Sequence, residues 1–554
     1  MVTITIMLAV IILAAACSSG TAENTLPASQ EAMNFQAVPA SGEMLEQSAG
    51  PEVSPADSIP LEDMLADMLG NPGSSTYRGG AAGWSIPADI SVATAYRSRG
   101  YRPIWVSGDG RFTPRGALLI DRLADARMDA LDPAAYRIAT IRSVMAQGDA
   151  VGLSAAELML SEALIRYSAD LWGHENRDIS LLARAAAAVD FGAFLRDMAP
   201  GDDTYARLRD ALVKYNAIVM VGGWETIPGG ETLLSGASDG RVLTLRRRLA
   251  FTGDLPEDAD TELTEFDAGL EEAVKHFQAR HGLTPDGKVG ARTLEALNLP
   301  AEVRAEQLAE NLRLQRRPES RFGERAIVVN VAAYELVMID GGKEVLRTRT
   351  VVGQPGRETP RMVSELKWLE INPTWSVPSR IAVEEIMPKL RRQGTEYLDK
   401  RGFRLFDTKW RELDADTFDM AALKGDSLPF ILRQDPGPRN PLGNVKFMFP
   451  NNEDIYLHDT RQRRLFQRES RALSHGCVRV DAAAELAVLL LRDEGWTQKR
   501  YDEVLESGQP HRVKLRNPMP IHIVTRTAWV DTDNNIHFRN DPYATGKNLQ
   551  LASN

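Results

Sequence analysis

Apolar periodicity changes along the chain, and the changes mark its organisation. Residues 2–16 are almost wholly apolar and end in Ala14-Ala15-Ala16-Cys17. That is the length of an export-signal core and short for a membrane span. Residues 18–85 are rich in Ser, Pro, Gly, Ala and Glu without a sustained period, which predicts a flexible linker. Over 86–235 the period becomes helical. Leu160, Leu164, Tyr167 and Leu171 fall on one face, and Ser154 with Glu157 reads as a capping box opening that helix. Trp105, Trp172 and Trp224 read as packing residues of a helical scaffold, and His174 as a structural or surface histidine. Residues 238–300 predict a small three-helix unit. Val242, Leu245 and Leu249 share one face and Ala273, Val274 and Phe277 another. A turn-rich link from His281 to Gly290 leads to a last helix at Thr293-Leu294.

From residue 325 the pattern turns to strands. Ile327–Val331, a hairpin of Leu336–Ile339 and Val345–Val352 around Asp340-Gly341-Gly342, Leu369–Asn372, Val445–Phe449 and Ile455–His458 are expected strands. Ile521–Val524 and Thr527–Val530 carry the domain to about residue 545. The mixed, charged segment 380–430, with a helical start at Val383–Leu390, reads as an insertion covering one face of this 325–545 domain. A helix with Asp481 as N-cap and Leu486, Leu489 and Leu490 facing inward follows the last cysteine. The fold class is multidomain α+β.

Charge removes one class of partner. With 76 acidic against 65 basic side chains, and only short basic runs such as Arg246-Arg247-Arg248, no face is expected to hold nucleic acid. The two cysteines, Cys17 and Cys477, each have a separate explanation. Small residues ahead of Cys17 resemble a bacterial lipoprotein signal, in which that cysteine is lipidated. No Lys or Arg precedes the apolar run, and Ala14 stands where such signals favour Leu, so plain cleavage or an uncleaved anchor stays open. The expected location is the periplasm or cell envelope, with membrane contact only through the signal or a lipid anchor.

Cys477 lies in Ser474-His475-Gly476-Cys477-Val478-Arg479. An ordinary thiol is mostly protonated at neutral pH, so a cysteine nucleophile needs a base or a field. His458, ending a strand, and His475, two residues before the cysteine, are the candidates. Gly476 frees the adjacent turn, and backbone N–H groups there could form an oxyanion hole. Arg479 would share a face with Cys477 on an extended segment, to favour the thiolate or bind a substrate carboxylate. His458, Asp459, His475 and Cys477 are also zinc-ligand types. His475 and Cys477 are only two apart and the chain has no HExxH run, so neither a metal nor a cofactor is expected.

Two resemblances sharpen this. Phe277-Gln278-Ala279-Arg280-His281-Gly282-Leu283, Asp286-Gly287-Lys288-Val289-Gly290 and Thr293-Leu294 with Ala296-Leu297-Asn298 resemble the three-helix peptidoglycan-binding module. A histidine, a gap of about fifteen residues, then Ser-His-Gly-Cys and an arginine two further on resembles the L,D-transpeptidase (YkuD-type) catalytic domain. The likeness extends through Val351-Val352-Gly353, Glu358-Thr359-Pro360, Asn372-Pro373-Thr374-Trp375, Asn440-Pro441-Leu442-Gly443 and Thr527-Ala528-Trp529. The order of scaffold, module and mostly-β domain is similar to the large periplasmic members. The resemblance implies Cys477 as nucleophile and His458 as base, with His475 and Gly476 assisting. It implies Arg479, Ser474, Tyr456 and Trp375 at the substrate and Asp459, Thr460 or a backbone carbonyl orienting His458; segment 380–430, covering one face, is expected to act as a lid. The resemblance further implies 3→3 cross-linking of peptidoglycan stem peptides through a thioester, and acylation of Cys477 by carbapenem-type inhibitors. A protein lysine, a free D-amino acid or water as acceptor, and a non-catalytic wall-binding protein, are the alternatives.

Overall fold

The computed structural model describes residues 60–70, 76–78, 85–87, 90–172, 180–256, 258–317, 320–423 and 428–544. The signal segment 1–17 with Cys17, most of the linker and His174 lie outside the described residues. The chain divides into two compact units, Met1–Val221 and Gly222–Asn554.

In the first unit the helix Ala150–Trp172 runs through the middle, buried around most of its circumference because shorter helices surround it. Leu160, Leu164, Tyr167 and Leu171 are buried on it as expected. The capping box is not formed. The helix begins four residues earlier, at Ala150, and Ser154 and Glu157 lie inside it, fully buried. The Glu157 carboxylate instead accepts the N–H groups of Trp105 and Val106 at 2.9 Å, that of Ile104, and the Tyr96 hydroxyl. It fastens the extended segment 104–106 to the helix, and burial pushes its pKa up to about 7. Glu157→Gln would turn an NH2 toward these donors and leave at least one unpaired. We expect a loss of about 1–3 kcal/mol, read as a lower thermal midpoint; an unaltered midpoint would show the clamp to be dispensable.

The predicted linker is shorter than 18–85. Leu61–Gly70 is a helix whose Leu61, Leu65 and Leu69 enter the same core. Their i, i+4, i+8 spacing is an amphipathic stripe hidden among Pro and Ser.

In the second unit, helices Arg241–Thr252, Ala268–Arg280 and Ala291–Asn298 form the small module. Its motif residues have physical work. Buried Gln278 donates to Asp286, to the Lys288 carbonyl and to Thr293, and accepts the Gly287 N–H, so one side chain ties both turn and last helix. Asp254 is buried against Arg280, His276 and Thr252 and held well below the usual carboxylate range by the Arg280 guanidinium despite its burial. The module is joined to the C-terminal hairpin of Ala528–Val530 and Ile536–Phe538. Arg280 donates to the Ile536 carbonyl, Arg539 to the Arg280 carbonyl, and His281 stacks on Phe538.

Nine strands follow: β1 Ala326–Asn330, β2 Glu335–Asp340, β3 Lys343–Gly353, β4 Met362–Ile371, β5 Val445–Met448, β6 Leu457–His458, β7 Ala472–Ser474, β8 Val478–Val480 and β9 His511–Val524. Their order is β7-β3-β8-β6-β5-β4-β9-β1-β2, and β2 also pairs with β3, so eight of them close on themselves. Ile327, Val329, Leu369, Phe447, Leu457, Val478 and Ile521 fill the interior, with Leu486 and Leu490 of helix Ala483–Leu491. Asp481 does not cap that helix. The N-cap is Ala482, and the Asp481 carboxylate pairs with Arg349 at 2.8 Å. Between β4 and β5 the insertion has its own core, including Ile386, Leu390, Tyr397, Phe403 and Leu432. It also has its own sheet, in which Ile431–Gln434 joins Trp375–Ser376 to Phe403–Phe406.

Candidate active site around Cys477

Strands β6 and β8 run parallel, Leu457 opposite Val478 and His458 opposite Arg479. The Val478 N–H donates to the Tyr456 carbonyl at 3.1 Å and extends the pairing by one residue. Leu457, Val478 and Val480 point into the core. Strand alternation therefore sends Tyr456, His458, Cys477 and Arg479 to the opposite face together. Two short strands from different parts of the chain thus assemble the site on a closed, rigid sheet.

His458 is buried, and its Nδ1 lies 2.5 Å from the Asp459 carbonyl oxygen. A carbonyl only accepts, so Nδ1 carries the proton and Nε2 is left with a lone pair. Burial, then the Arg479 charge, lowers its pKa to about 3, so the ring is neutral at physiological pH. The orienter is thus the Asp459 backbone. The Asp459 carboxylate pairs with Arg463 at 2.5 Å and accepts the Asn444 N–H at 2.8 Å. Gly443, with φ +64, is needed here, because a Cβ would collide with that carboxylate.

The Cys477 thiol is partly exposed and points to the Asp454 carbonyl at 3.6 Å. Desolvation pushes its pKa up to about 11, against the hydrogen bonds from Tyr456 and the Arg479 charge. The Tyr456 hydroxyl interacts with both the Cys477 thiol and the Trp375 side chain, so these aromatics border the sulfur. The Tyr456 and His458 rings lie 5.7 Å apart. Arg479 donates to Gln462 at 3.0 Å, while its buried Nε has no partner among the described residues.

The turn before the cysteine is built differently from expectation. Ser474 is buried and does not line a pocket. Its hydroxyl donates to the Cys477 carbonyl at 2.6 Å and accepts the Gly476 N–H at 3.2 Å. The Gly476 amide is thereby spent inside the loop, which leaves the Cys477 N–H as the oxyanion candidate. Gly476 has φ +117, where a side chain would be strained, and its carbonyl accepts the Thr359 hydroxyl at 2.5 Å. Thr359 also accepts the Gly353 N–H. The conformation of the nucleophile loop is thus fixed by the Gly353–Thr359 loop, which accounts for the motif residues there. His475 is engaged by the insertion. Its Nε2 lies 2.5 Å from Glu385 of the insertion, a contact with no sequence signal because ninety residues and another core separate the two. Among the described residues no three His, Cys, Asp or Glu side chains gather as a metal site, and no helix is long and apolar enough to cross a membrane.

Comparison with known proteins agrees with this layout. Residues 324–501 match the L,D-transpeptidase catalytic domain family (YkuD), residues 91–212 a family described as "Scaffold domain", and residues 238–297 one described as "Putative peptidoglycan binding domain". A Haemophilus influenzae protein named "Putative L,D-transpeptidase" is 34% identical over 226 residues, 41% of this chain and 45% of that protein. The chain therefore spans less than half the length of that relative. Among solved structures, an L,D-transpeptidase from Stackebrandtia nassauensis is 15% identical, covering 54% of this chain and 97% of that one, with a TM-score of 0.20. One from Mycobacterium smegmatis is 14% identical, covering 36% and 58%, with a TM-score of 0.17. At these TM-scores the superpositions are too loose to inform the geometry of the site. With matches to a scaffold family and a peptidoglycan-binding family ahead of it, the strand-rich domain bearing Cys477 matches the YkuD family of L,D-transpeptidase catalytic domains over residues 324–501.

Proposed function

We propose that this protein forms 3→3 peptidoglycan cross-links in the periplasm through a thioester on Cys477. The observation that carries the reading is the shared face of His458 and Cys477, with the imidazole locked so that Nε2 is the acceptor. In the donor half-reaction the Cys477 sulfur attacks the carbonyl of the third residue of a tetrapeptide stem, His458 takes the thiol proton, and the same proton leaves on the amine of D-alanine. The Cys477 N–H stabilises the oxyanion. Tyr456 and Trp375 wall the sulfur, and Arg479, whose Nε is unpartnered, suits a stem carboxylate. The thioester then passes to the side-chain amine of a second stem. Neither a metal nor a cofactor is required for these steps.

The thiol's raised pKa and the imidazole's lowered one make a free thiolate–imidazolium pair far uphill. The proton therefore moves as the carbon–sulfur bond forms. Muropeptide analysis after expressing wild type and Cys477→Ala tests the proposal: dimers joined 3→3 should appear only with wild type. Consumption of tetrapeptides without such dimers would overturn the cross-linking reading in favour of exchange, protein attachment or hydrolysis. The insertion supports a second expectation. Excising residues 380–430 should raise the share of acyl-enzyme lost to water relative to transfer, because a covered site favours an amine over hydrolysis; an unaltered ratio would remove the lid role.

A further inference from the structure

Two imidazoles flank the cysteine, and they differ in every respect that matters to proton transfer. His458 is buried and oriented by a backbone carbonyl. His475 has a side chain 30% exposed, and its Nε2 lies 2.5 Å from a carboxylate, Glu385, itself 43% exposed. The first is closed off from solvent, whereas the second is partly open to it. The carboxylate is delivered by design of the local backbone. Ala382–Ile386 is a single π-helical turn within the insertion, and it carries both Glu384 and Glu385. Such turns re-aim side chains and recur at functional sites. Glu384 is engaged by Arg357 and by Arg380 at 2.8 Å, whereas among the described residues Glu385 keeps a long contact of 3.8 Å to Arg357 besides His475. The other charge that feels Glu385 is Arg479 on β8.

We propose that His475 and Glu385 together are the base for the acceptor half-reaction, relieving the incoming amine of the proton that prevents its attack. The inference rests on the transpeptidase reading above. A primary amine reaches the site as an ammonium, without a lone pair to offer. Glu385 is suited to attract that cation, and the His475–Glu385 pair to remove a proton: Nε2–H faces the carboxylate, Nδ1 accepts, and the carboxylate compensates the positive charge the ring gains. The amine nitrogen then bonds to the thioester carbon and the carbon–sulfur bond breaks. Of the two protons the nitrogen sheds, one goes to His475 and on to water. The other passes through His458 to the sulfur and restores the thiol. Because the carboxylate comes from the insertion, the acceptor base is complete only when that insertion lies against the nucleophile loop.

The test uses the full-length protein, loaded with a tetrapeptide donor to form the acyl-enzyme, then offered either a stem amine or hydroxylamine near neutral pH. Hydroxylamine is largely unprotonated there and needs no base before attack. Glu385→Gln keeps a hydrogen-bonding side chain while removing the charge. It should lower the transfer-to-hydrolysis ratio for the stem amine by roughly tenfold or more, leave that ratio for hydroxylamine close to wild type, and be partly rescued by Glu385→Asp. His475→Asn should show the same selectivity between acceptors. Equal losses with both acceptors would reduce Glu385 to a structural latch and overturn the proposal, as would no loss with the stem amine. If wild type forms no acyl-enzyme at Cys477, the transpeptidase reading itself falls, and the inference with it.

Discussion

Replacing His458 by glutamine should slow acylation of Cys477 by roughly a hundred- to ten-thousand-fold, the range that a positioned general base contributes. The geometry makes the effect specific to Nε2. Nδ1 is committed to the Asp459 carbonyl, so the ring presents one lone pair, on the face it shares with the sulfur. Glutamine can keep a donor toward that carbonyl but offers no basic nitrogen. The measurement is the rate of adduct formation at Cys477 with a carbapenem, followed by intact-protein mass, with thermal unfolding as the control for folding. A rate close to wild type would transfer the donor-side base to His475. Asp459→Asn, by contrast, should act through stability, because the carboxylate it removes holds Arg463 and the Asn444 amide and does not touch the imidazole.

The second large effect concerns pH. A thiol pushed up to about 11 is almost wholly protonated at neutral pH, and raising the pH frees the reactive thiolate. Alkylation of Cys477 by iodoacetamide should therefore climb about tenfold per pH unit, roughly a thousandfold between pH 7 and 10, with no plateau in that window. The sign follows from the acid involved: desolvation disfavours the charged form, and the thiolate is the charged form. His458 adds no early step, since its own pKa is lowered to about 3 and the ring is neutral throughout. A plateau at neutral pH, lost in His458→Gln, would instead demonstrate a standing thiolate–imidazolium pair. A resting site of this kind discriminates. It should be sluggish toward small electrophiles at neutral pH and faster with a substrate that brings its carbonyl to the oxyanion position as the proton departs.

Much of this was legible in the chain, for physical reasons. The strands around Val445 and Ile521 read correctly because the closed sheet demands continuous apolar residues on its inner face. The expected strand ending at His458 is present, and it pairs in parallel with Val478–Val480, directly after Cys477. What sequence missed are side chains whose partners are remote. Glu157 has the spacing of a cap but serves the segment 104–106, about fifty positions away. Asp481 precedes a helix but answers Arg349. Ser474 looks like a pocket hydroxyl but closes its own turn. Glu385 is one acid among many in a charged insertion, and only folding brings it to His475. Leu61, Leu65 and Leu69 were obscured by composition, although their period was visible.

The joint between the three-helix module and the C-terminal hairpin bears on the geometry of the wall. Arg280 and Arg539 each donate to a carbonyl across it, His281 stacks on Phe538, and Glu469 on the loop before β7 receives Thr284 at 3.0 Å and Arg292. A module so fastened cannot swing like a bait on a line. On the proposed function it would act as a ruler: a strand gripped by it would meet Cys477 at one fixed stand-off, and cross-links made from that grip would share one spacing.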